Sequence, residues 1–589
     1  MPSTRKNISR LFLIGMCLIQ TVGFVQPVFS QATQSYVPVT DAMLQNPDPA
    51  DWLMWRRTLN TWGYSPLDQI NTDNVEDIRM AWTRTLGPGI QEGTPIVYDG
   101  KLIFPGPSDY VQAFDAVSGT LLWEYRRQLP ADLSDYLPFS AINRNMALYG
   151  DLLIDTSPDD FIYALNIHSG EMVWETKILD YQRGAQQTSG PIIANGKAIS
   201  GRGCEPEGGP DACVILAHDA LTGEELWRTH TIATEDDPNN VSWGDVPWEN
   251  RRHVGSWMVP SFDPELNLLY IGTSVTSPAP KYILAGNDLD YLYHNSTLAL
   301  DADTGEIVWH YQHGVDHWDH DQPFERLLVD TVVAPDPEEV QWINPDLVPG
   351  EVRKVMTGIP GKTGLVYTLD RETGEFLWAD STVFQNVISS IDGASGQVTV
   401  NPESLFTEVD QERIICPHLN GGKNFPTGAY SPLNNVMYFP LHNTCALTVS
   451  TATEQSLDDL YGMFMRIQTV PGQENIGSLF AIDVATGKTL WKYDDRAIMM
   501  SLLTTGSGLI FGGDSNGYFK AFDQENGELL WQINIGSPVS GYPVTYAIDG
   551  KQYVAVSTGF SIVAATAGSL APEQRPGNGN NLFIFTLPD

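Results

Sequence analysis

One eleven-residue phrase recurs along this chain and constrains its fold more than any other feature of the sequence. It consists of a small residue or Thr, a mostly apolar position, Asp, two variable residues, Thr or Ser, Gly, three more residues and Trp. The clean copies are Ala217–Trp227, Ala299–Trp309, Thr368–Trp378 and Ala481–Trp491. Looser copies are Ala113–Trp123, Ala164–Trp174 (with Asn166 in place of Asp) and Ala521–Trp531 (with Asn526 in place of Thr).

The chemistry of the phrase predicts a strand, a tight turn and another strand. Asp and Thr or Ser can bond the backbone of the turn, Gly can adopt the positive φ, and Trp falls in the second strand. Because so short a unit cannot bury its own apolar face, the copies must stack on one another. With a degenerate copy ending at Trp82, the spacing predicts an all-β fold, an eight-bladed β-propeller with tryptophan-docking repeats.

The ends of the chain add two expectations. Arg5, Lys6 and Arg10 precede an apolar stretch, so residues 1–30 are predicted to be a signal peptide and residues 31–589 a single propeller domain. A retained membrane anchor is the alternative for the N-terminus. The apolar run Asn581–Pro588 is predicted to return to the first blade and cover its open edge.

Composition excludes several partners. The formal net charge of −39 argues against nucleic acid and anionic membrane surfaces, while a basic protein partner fits it. Solubility or a saline habitat would account for the charge equally well. No stretch after the signal is long and apolar enough for stable membrane insertion. Four cysteines remain after the signal, and an exported protein is expected to join them in two disulfides. Of the three possible connectivities we favour Cys204–Cys213 with Cys416–Cys445.

Polar segments interrupt the repeats and mark where chemistry is expected. Glu205, Asp319 and Asp321 would form an oxygen-rich site for a hard cation if the fold brings them together. Asp319 and Asp321 are two residues apart, which places both side chains on one face of an extended segment. The alternative is a solvated acidic loop stabilised by His317 and His320.

Several ordered segments give the chain its resemblance to a known family. They include Tyr64–Leu67, Phe262–Asn267, Asn295–Asp301 and Gly550–Tyr553. Together with the repeats, they make the sequence similar to the pyrroloquinoline-quinone (PQQ)-dependent alcohol dehydrogenases, which include methanol and ethanol dehydrogenases. The resemblance covers essentially all the chain after the signal.

The resemblance implies a role for each matching residue. Asp319 matches the catalytic base, Glu205 a metal ligand, and Lys362 the cation bonded to the reactive quinone oxygen. The residues that match the cofactor pocket are Glu92, Arg144, Thr188, Gly203, Cys204, Trp257 and Lys362. Such groups suit a flat tricarboxylate, which needs cations, hydroxyls and an aromatic floor.

The metal set is implied in the same way, with one departure from the family pattern. Asp321, two residues beyond the base, resembles the lanthanide-dependent members, so a lanthanide(III) ion is expected ahead of Ca²⁺. The metal-binding Asn of the family is missing, and Ser277 or Thr276 is left to supply an oxygen. The adjacent cysteine pair of the family is replaced by Pro138–Phe139.

The resemblance implies periplasmic, PQQ-dependent oxidation of an alcohol to the aldehyde or ketone. Hydride passes to the quinone, and electrons leave to a separate soluble c-type cytochrome, because the chain has no Cys-x-x-Cys-His haem motif. The alternative is a non-catalytic propeller that acts as an envelope scaffold. A scaffold has no need of Glu205, Asp319, Asp321 and Lys362, so their presence favours the enzyme.

Overall fold

The computed structural model describes residues 36–137, 139, 142–451 and 461–588. The predicted signal peptide and Pro138 lie outside the described residues. Two helices are present there, α1 (Asp41–Gln45) and α2 (Ile562–Leu570). Short 3₁₀ helices cover Val75–Asp77, Leu133–Asp135, Tyr181–Arg183, Pro206–Gly208, Pro210–Ala212, Pro238–Trp243, Trp248–Asn250, Lys281–Ile283 and Pro402–Ser404.

Strands make up most of the remaining ordered backbone, so the fold is all-β as predicted. The strands of the first third are β1 (Tyr64–Ser65), β2 (Arg79–Thr85), β3 (Ile96–Tyr98), β4 (Lys101–Gly106), β5 (Tyr110–Asp115), β6 (Leu121–Arg126), β7 (Ala147–Tyr149), β8 (Leu152–Ser157), β9 (Phe161–Asn166), β10 (Met172–Lys177), β11 (Ala185–Gln186), β12 (Ile192–Ala194) and β13 (Lys197–Ser200). Those of the middle third are β14 (Gly203–Cys204), β15 (Val214–Asp219), β16 (Glu225–His230), β17 (Ser261–Asp263), β18 (Leu268–Gly272), β19 (Ser296–Asp301), β20 (Ile307–Gln312), β21 (Leu327–Val333), β22 (Trp342–Ile343), β23 (Glu351–Gly358), β24 (Leu365–Asp370), β25 (Phe376–Ser381) and β26 (Ile388–Ile391). Those of the last third are β27 (Val398–Val400), β28 (Glu412–Ile415), β29 (Ala429–Ser431), β30 (Val436–His442), β31 (Thr444–Ser450), β32 (Met463–Thr469), β33 (Gly477–Asp483), β34 (Thr489–Asp495), β35 (Met499–Thr505), β36 (Leu509–Asp514), β37 (Tyr518–Asp523), β38 (Leu529–Asn534), β39 (Val544–Ile548), β40 (Lys551–Thr558) and β41 (Asn581–Thr586).

Eight sheets of four or five strands are found within the described ranges. Their strand orders are β3-β4-β5-β6, β10-β9-β8-β7, β12-β13-β15-β16, β17-β18-β19-β20, β21-β23-β24-β25-β22, β29-β30-β33-β34, β1-β35-β36-β37-β38 and β2-β41-β40-β39. Smaller sheets are β11-β14, β26-β27 and β28-β31-β32. In the last of the large sheets the C-terminal strand β41 lies between β40 and β2, as predicted for the apolar run at the end of the chain.

The repeat phrase forms the last hairpin of each large sheet that carries it. Trp123 pairs with Ala113 across such a hairpin, and Trp227 pairs with Ala217. In the Ala217–Trp227 copy, Asp219 Oδ1 accepts hydrogen bonds from the Thr222 amide at 2.8 Å and the Thr222 hydroxyl at 2.9 Å. The predicted turn chemistry is therefore confirmed.

The glycine of each phrase touches the tryptophan of the preceding one. A Cβ atom on Gly170 (φ +72°) would lie 2.5 Å from the Trp123 ring, and one on Gly223 (φ +75°) would lie 2.4 Å from the Trp174 ring. Indole nitrogens also bond across from sheet to sheet, such as Trp123 Nε1 to the Ile167 carbonyl at 3.0 Å. Glycine is thus required twice at these turns, for its positive φ and for the space it leaves.

Both predicted disulfides form, Cys204–Cys213 and Cys416–Cys445. The first closes a short loop after β14, and the second joins the segment after β28 to β31. The described residues from Pro38 onward lie in one compact unit. Within the described ranges, no helix has the length and apolar character needed to cross a bilayer.

Candidate functional site

A cavity of about 240 Å³ lies where loops from several sheets meet. Ten of the eleven residues predicted from the sequence line it, namely Glu92, Arg144, Thr188, Gly203, Cys204, Glu205, Trp257, Asp319, Asp321 and Lys362. The structure therefore brings together side chains that lie up to 270 positions apart in the chain.

The same kind of segment supplies most of these residues. Glu92 precedes β3, Arg144 precedes β7, and Thr188 precedes β12. Trp257 precedes β17, and Lys362 follows β23. Because loops at one end of the sheets converge, a residue just before a first strand reaches the same cavity from each sheet.

One side of the cavity is built around Arg144. Its guanidinium lies 2.7 Å from Glu92 Oε2 and donates to the Thr188 hydroxyl at 2.7 Å. The Arg144 carbonyl accepts from the Thr94 amide at 2.9 Å, which ties the two loops together. Burial raises the pKa of Glu92, and Arg144 opposes that effect.

Another part of the cavity holds a cation between two carboxylates. Lys362 Nζ lies 2.9 Å from Asp319 Oδ2 and 3.0 Å from Asp321 Oδ2. Burial lowers the Lys362 pKa, but the two carboxylates outweigh it and the net shift is upward. Burial raises the pKa of Asp319 well above its usual range; Lys362 opposes this shift and Asp321 reinforces it.

The Asp319 loop is shaped by Asp316, whose role the sequence did not reveal. Asp316 accepts from the backbone amides of Trp318 at 3.0 Å, Asp319 at 2.8 Å and His320 at 2.7 Å. Asp319 itself has φ +75°, a conformation that an L-residue adopts only under constraint. The carboxylate of Asp316 satisfies the amides of this turn and so fixes the direction of Asp319.

The indole of Trp257 links the two charged clusters. The Arg144 guanidinium lies 5.0 Å from the Trp257 ring centroid, and Trp257 Nε1 donates to Asp321 Oδ2 at 3.2 Å. Asp321 Oδ1 also accepts from the Val275 amide at 3.1 Å. Both oxygens of Asp321 are thus engaged by protein donors.

Glu205 reaches the cavity from the loop that the Cys204–Cys213 disulfide holds. Gln186 Nε2 donates to Glu205 Oε1 at 2.7 Å, and Gln186 pairs with Gly203 in the β11–β14 sheet that directly precedes Glu205. Burial, with the nearby Glu207, raises the pKa of Glu205 to about 7. Its carboxyl is therefore a partly protonated group near neutral pH in the absence of a cation.

The predicted metal donors have the oxygen chemistry that a hard cation prefers, but in this structure they do not lie close enough together to bind one. Glu205, Asp319 and Asp321 line one cavity, as carboxylates that bind such an ion should. However, across the described ranges no three His, Cys, Asp or Glu side chains are close enough to hold an ion. Ser277 is fully buried but does not line the cavity, and no described residue bonds its hydroxyl.

Sequence reasoning missed several residues that line the cavity. They are Ile90, Ile142, Gln186, His253, Ser274, Leu419, Asn420, Asn424, Tyr461 and Ile562. Burial raises the pKa of the Tyr461 phenol well above its usual value, and a hydrogen bond to Asp319 adds to the shift. Phe139, in the segment that replaces the cysteine pair of the resembled family, also lines the cavity. Only Phe139 had a signal in the sequence, because it departs from a pattern.

The fold and the site together define a class of protein. It is an all-β chain in which the loops before the first strands of the sheets bring acidic and basic side chains together around the Trp257 indole in one cavity. The profile of the family described as "PQQ: Glucose/ethanol/alcohol dehydrogenase, beta-propeller domain" matches residues 52–384 and 495–554, more than half of the chain. The chain therefore belongs to the PQQ-dependent alcohol dehydrogenases, which are oxidoreductases.

Named relatives and solved structures agree with this assignment. The dehydrogenase subunit of the quinone-type alcohol dehydrogenase of Komagataeibacter europaeus is 29% identical, with 94% of this chain and 78% of that protein covered. The quinoprotein alcohol dehydrogenase PedH of Pseudomonas putida is 30% identical, with 89% of each covered. The quinohemoprotein alcohol dehydrogenase ADHIIG from Pseudomonas putida HK5 has a TM-score of 0.82 at 27% identity and covers 94% of this chain and 83% of that one.

Proposed function

We propose that this chain oxidises an alcohol to the aldehyde or ketone in the cavity around Trp257, with PQQ held there. The observation that carries the proposal is the arrangement of two charged clusters joined by one indole. Arg144 with Glu92 and Thr188 forms the first, and Lys362 with its two aspartates forms the second. A flat anionic cofactor needs both an aromatic face and separate cations, and the cavity offers them together.

The cofactor contacts follow from the chemistry of each side chain. Arg144 and the Thr188 hydroxyl suit a carboxylate of the cofactor, and the Trp257 ring suits its plane. Gly203 and Cys204 line the cavity from the β14 side. When bound, PQQ supplies the two-electron acceptor that protein side chains lack.

Asp319 is proposed as the base that takes the hydroxyl proton of the alcohol. Its carboxylate lines the cavity and lies 2.9 Å from the Lys362 ammonium. Lys362 opposes the effect of burial on the Asp319 pKa, so it favours the ionised form that a base requires. Tyr461, bonded to Asp319, helps to hold this carboxylate in place.

A metal ion is proposed at the carboxylates Glu205, Asp319 and Asp321. We favour a lanthanide(III) ion over Ca²⁺ because Asp321 adds a carboxylate to the site and a trivalent ion has more charge to neutralise. Lys362 contacts both aspartates in this structure, so a bound ion would share these carboxylates with the Lys362 ammonium.

The wider organisation is proposed on the same basis. The eight large sheets would be eight blades joined by their tryptophan-to-glycine contacts, in one domain from residue 31 to 589. Residues 1–30 would direct the chain to the periplasm. A separate c-type cytochrome would accept the electrons, and a basic surface on it would suit the charge of −39.

The test is dye-linked alcohol oxidation by purified protein given PQQ with either Ca²⁺ or La³⁺, over alcohols from methanol to secondary alcohols. Turnover that falls at least about 100-fold in Asp319→Asn supports the base. The exposed Asp303→Asn serves as the control and should keep wild-type turnover. Activity with La³⁺ alone, lost in Asp321→Ala, supports the lanthanide; activity with Ca²⁺ alone contradicts it. PQQ binding without turnover of any alcohol contradicts the function.

A further inference from the structure

A second cavity of about 280 Å³ lies beside the first and shares Leu419, Asn420 and Ile562 with it. The proposed binding of PQQ and the proton transfer to Asp319 give this second cavity no role. Its lining consists of His418, Leu419, Asn420, Ala446, Met465, Ile467, Ile562, Ala565, Thr566 and Ser569. The shared residues make the two cavities immediate neighbours.

The second cavity is built by a different part of the chain from the first. Its walls come from the segment after β28, from β31 and β32, and from helix α2. The Cys416–Cys445 disulfide ties the first two together, and Asn420 Nδ2 donates to Thr566 Oγ1 at 2.6 Å to tie the segment to α2.

All ten lining residues fall outside the two segments that the family profile matches, residues 52–384 and 495–554. Every residue proposed to hold PQQ or to act as the base lies inside the first of those segments. The residues that carry the shared chemistry of the family and the residues that line the second cavity therefore lie in different segments of the sequence. A region outside the common part of the family is where a difference in substrate would be built.

Most of the second cavity is apolar and accessible. Four apolar side chains of the lining are each only partly buried, namely Leu419, Met465, Ile467 and Ile562. Exposure of such side chains to water is unfavourable. A cofactor held in the first cavity would occupy part of its volume of about 240 Å³. An apolar tail that passes Leu419 and Ile562 would enter the second cavity and cover these side chains.

One polar group in the second cavity has a defined and unused donor. His418 Nδ1 accepts a hydrogen bond from the Asn420 amide at 2.7 Å, so Nδ1 carries no proton. Burial, with His442, His320 and Lys362 nearby, lowers the His418 pKa to about 3, so the ring is neutral and its proton lies on Nε2. Nε2 has no acceptor among the described residues and is fully covered by its neighbours, so a substrate oxygen reaches it only after a shift of the side chains around it.

We infer that the second cavity is the binding site for the distal part of the alcohol substrate. The substrate class is an alcohol with an apolar chain that carries an oxygen acceptor for His418 Nε2. The inference rests on the proposed function, because the hydroxyl end has to react beside Asp319 in the first cavity. The pairing of an apolar wall with one fixed donor selects chain length and oxygen position together.

The first experiment measures kcat/KM for straight-chain alcohols from ethanol to 1-octanol with the PQQ-loaded full chain. We expect kcat/KM to rise at least about tenfold over the series, because each added CH₂ buries more apolar surface. Ala565→Trp and Met465→Trp each fill the cavity and should reduce the 1-octanol to ethanol ratio about tenfold. Phe464→Trp is the matched control, since Phe464 neighbours Met465 but is 62% exposed, and it should keep the wild-type ratio.

The second experiment replaces one CH₂ of 1-octanol at a time by an ether oxygen. One position should be preferred at least about threefold over its neighbours, because only there does the oxygen reach the Nε2 proton. His418→Asn keeps an acceptor for the Asn420 amide but ends short of the Nε2 position, so it should abolish this preference.

The outcomes separate the inference from the proposed function. Turnover of ethanol with no dependence on chain length, or with a dependence that both tryptophan variants retain, overturns the inference alone. An ether preference that survives in His418→Asn overturns the role of His418. No turnover of any alcohol by the loaded wild type overturns the proposed function, and the inference with it.

Discussion

The contacts of Arg144 depend most strongly on the shape of the side chain. Its planar guanidinium meets Glu92 at 2.7 Å, the Thr188 hydroxyl at 2.7 Å and the Trp257 ring at 5.0 Å. A lysine ammonium can reach one of these partners, but it cannot present a rigid fork and a stacking plane together. Charge alone therefore does not explain this position.

We predict that Arg144→Lys lowers the affinity for PQQ about tenfold or more, although the charge is conserved. Loss of one bidentate contact and one stacking contact corresponds to about 1.4 kcal/mol or more of binding free energy. Calorimetric titration of the cofactor-free protein with PQQ measures it. Arg353→Lys, in a partly exposed pair with Asp370 and Glu375, is the control. Equal PQQ affinity in wild type and Arg144→Lys would show that the guanidinium geometry is irrelevant.

At this scale the sequence indicated which residues meet but not how they are bonded. Glu92, Arg144, Asp319 and Lys362 lie in polar segments that interrupt the repeats, and a family pattern identified each. That Lys362 bridges Asp319 and Asp321 depends on distances between loops of the fold, which no local pattern encodes. Tyr461 gave no signal for the same reason.

Among the structural elements, the repeat hairpin is so uniform that one exception is informative. The second position of the phrase is apolar in most copies, but in the Ala217–Trp227 copy it is His218, fully buried in β15. No described residue bonds either ring nitrogen. Burial lowers the His218 pKa from 6.5 to about 4, with a smaller opposing effect of Glu225.

His218 should therefore make the protein less stable in mild acid. Between pH 4 and 6.5 the unfolded chain binds a proton that the folded chain does not, so the free energy of unfolding falls as pH falls. The shift corresponds to about 3 kcal/mol over that range. In His218→Phe this loss should disappear, as measured by urea unfolding at pH 7 and pH 4.5. The exposed His168→Gln is the control. A wild-type pH dependence in His218→Phe would exclude His218 as its source.

The elements divide into those that the repeats predicted and those that they did not. The hairpins around Trp123, Trp227 and Trp491 follow from turn chemistry, because Asp, Thr and Gly leave the backbone few alternatives. The sheet β28-β31-β32 carries no copy of the phrase, and its strands pair across a long connection. Pairing of that kind depends on tertiary contacts, so a local reading of the sequence could not locate the sheet or the cavity behind it.

For the whole molecule, the decisive feature is that the last strand, β41, pairs with the early strand β2 in one sheet. Strand β41 pairs antiparallel with β2 on one side and with β40 on the other. Its Leu582, Ile584 and Phe585 are fully buried in the core that β2 and β36 also line. The apolar run at the C-terminus predicted this return, because an uncovered β2 would leave an open edge.

Removal of residues 579–589 should therefore abolish the cooperative fold of the protein. The deletion strips three buried apolar side chains, each worth about 2–5 kcal/mol, and exposes two strand edges. The sum is comparable with the whole stability of a typical domain, about 5–15 kcal/mol. We expect the truncated chain to aggregate or to lack a cooperative thermal transition, as measured by size-exclusion chromatography and circular dichroism.

Two further samples test whether the effect of the deletion is specific to strand β41. Deletion of residues 588–589 alone leaves β41 intact and should keep the wild-type melting temperature. A synthetic peptide of residues 579–589, added during refolding of the truncated chain, should restore the transition in proportion to its concentration, because binding to the folded state stabilises it by mass action. A truncated chain that melts like the wild type without peptide would show that the sheet formed by β2, β39 and β40 does not need its C-terminal strand.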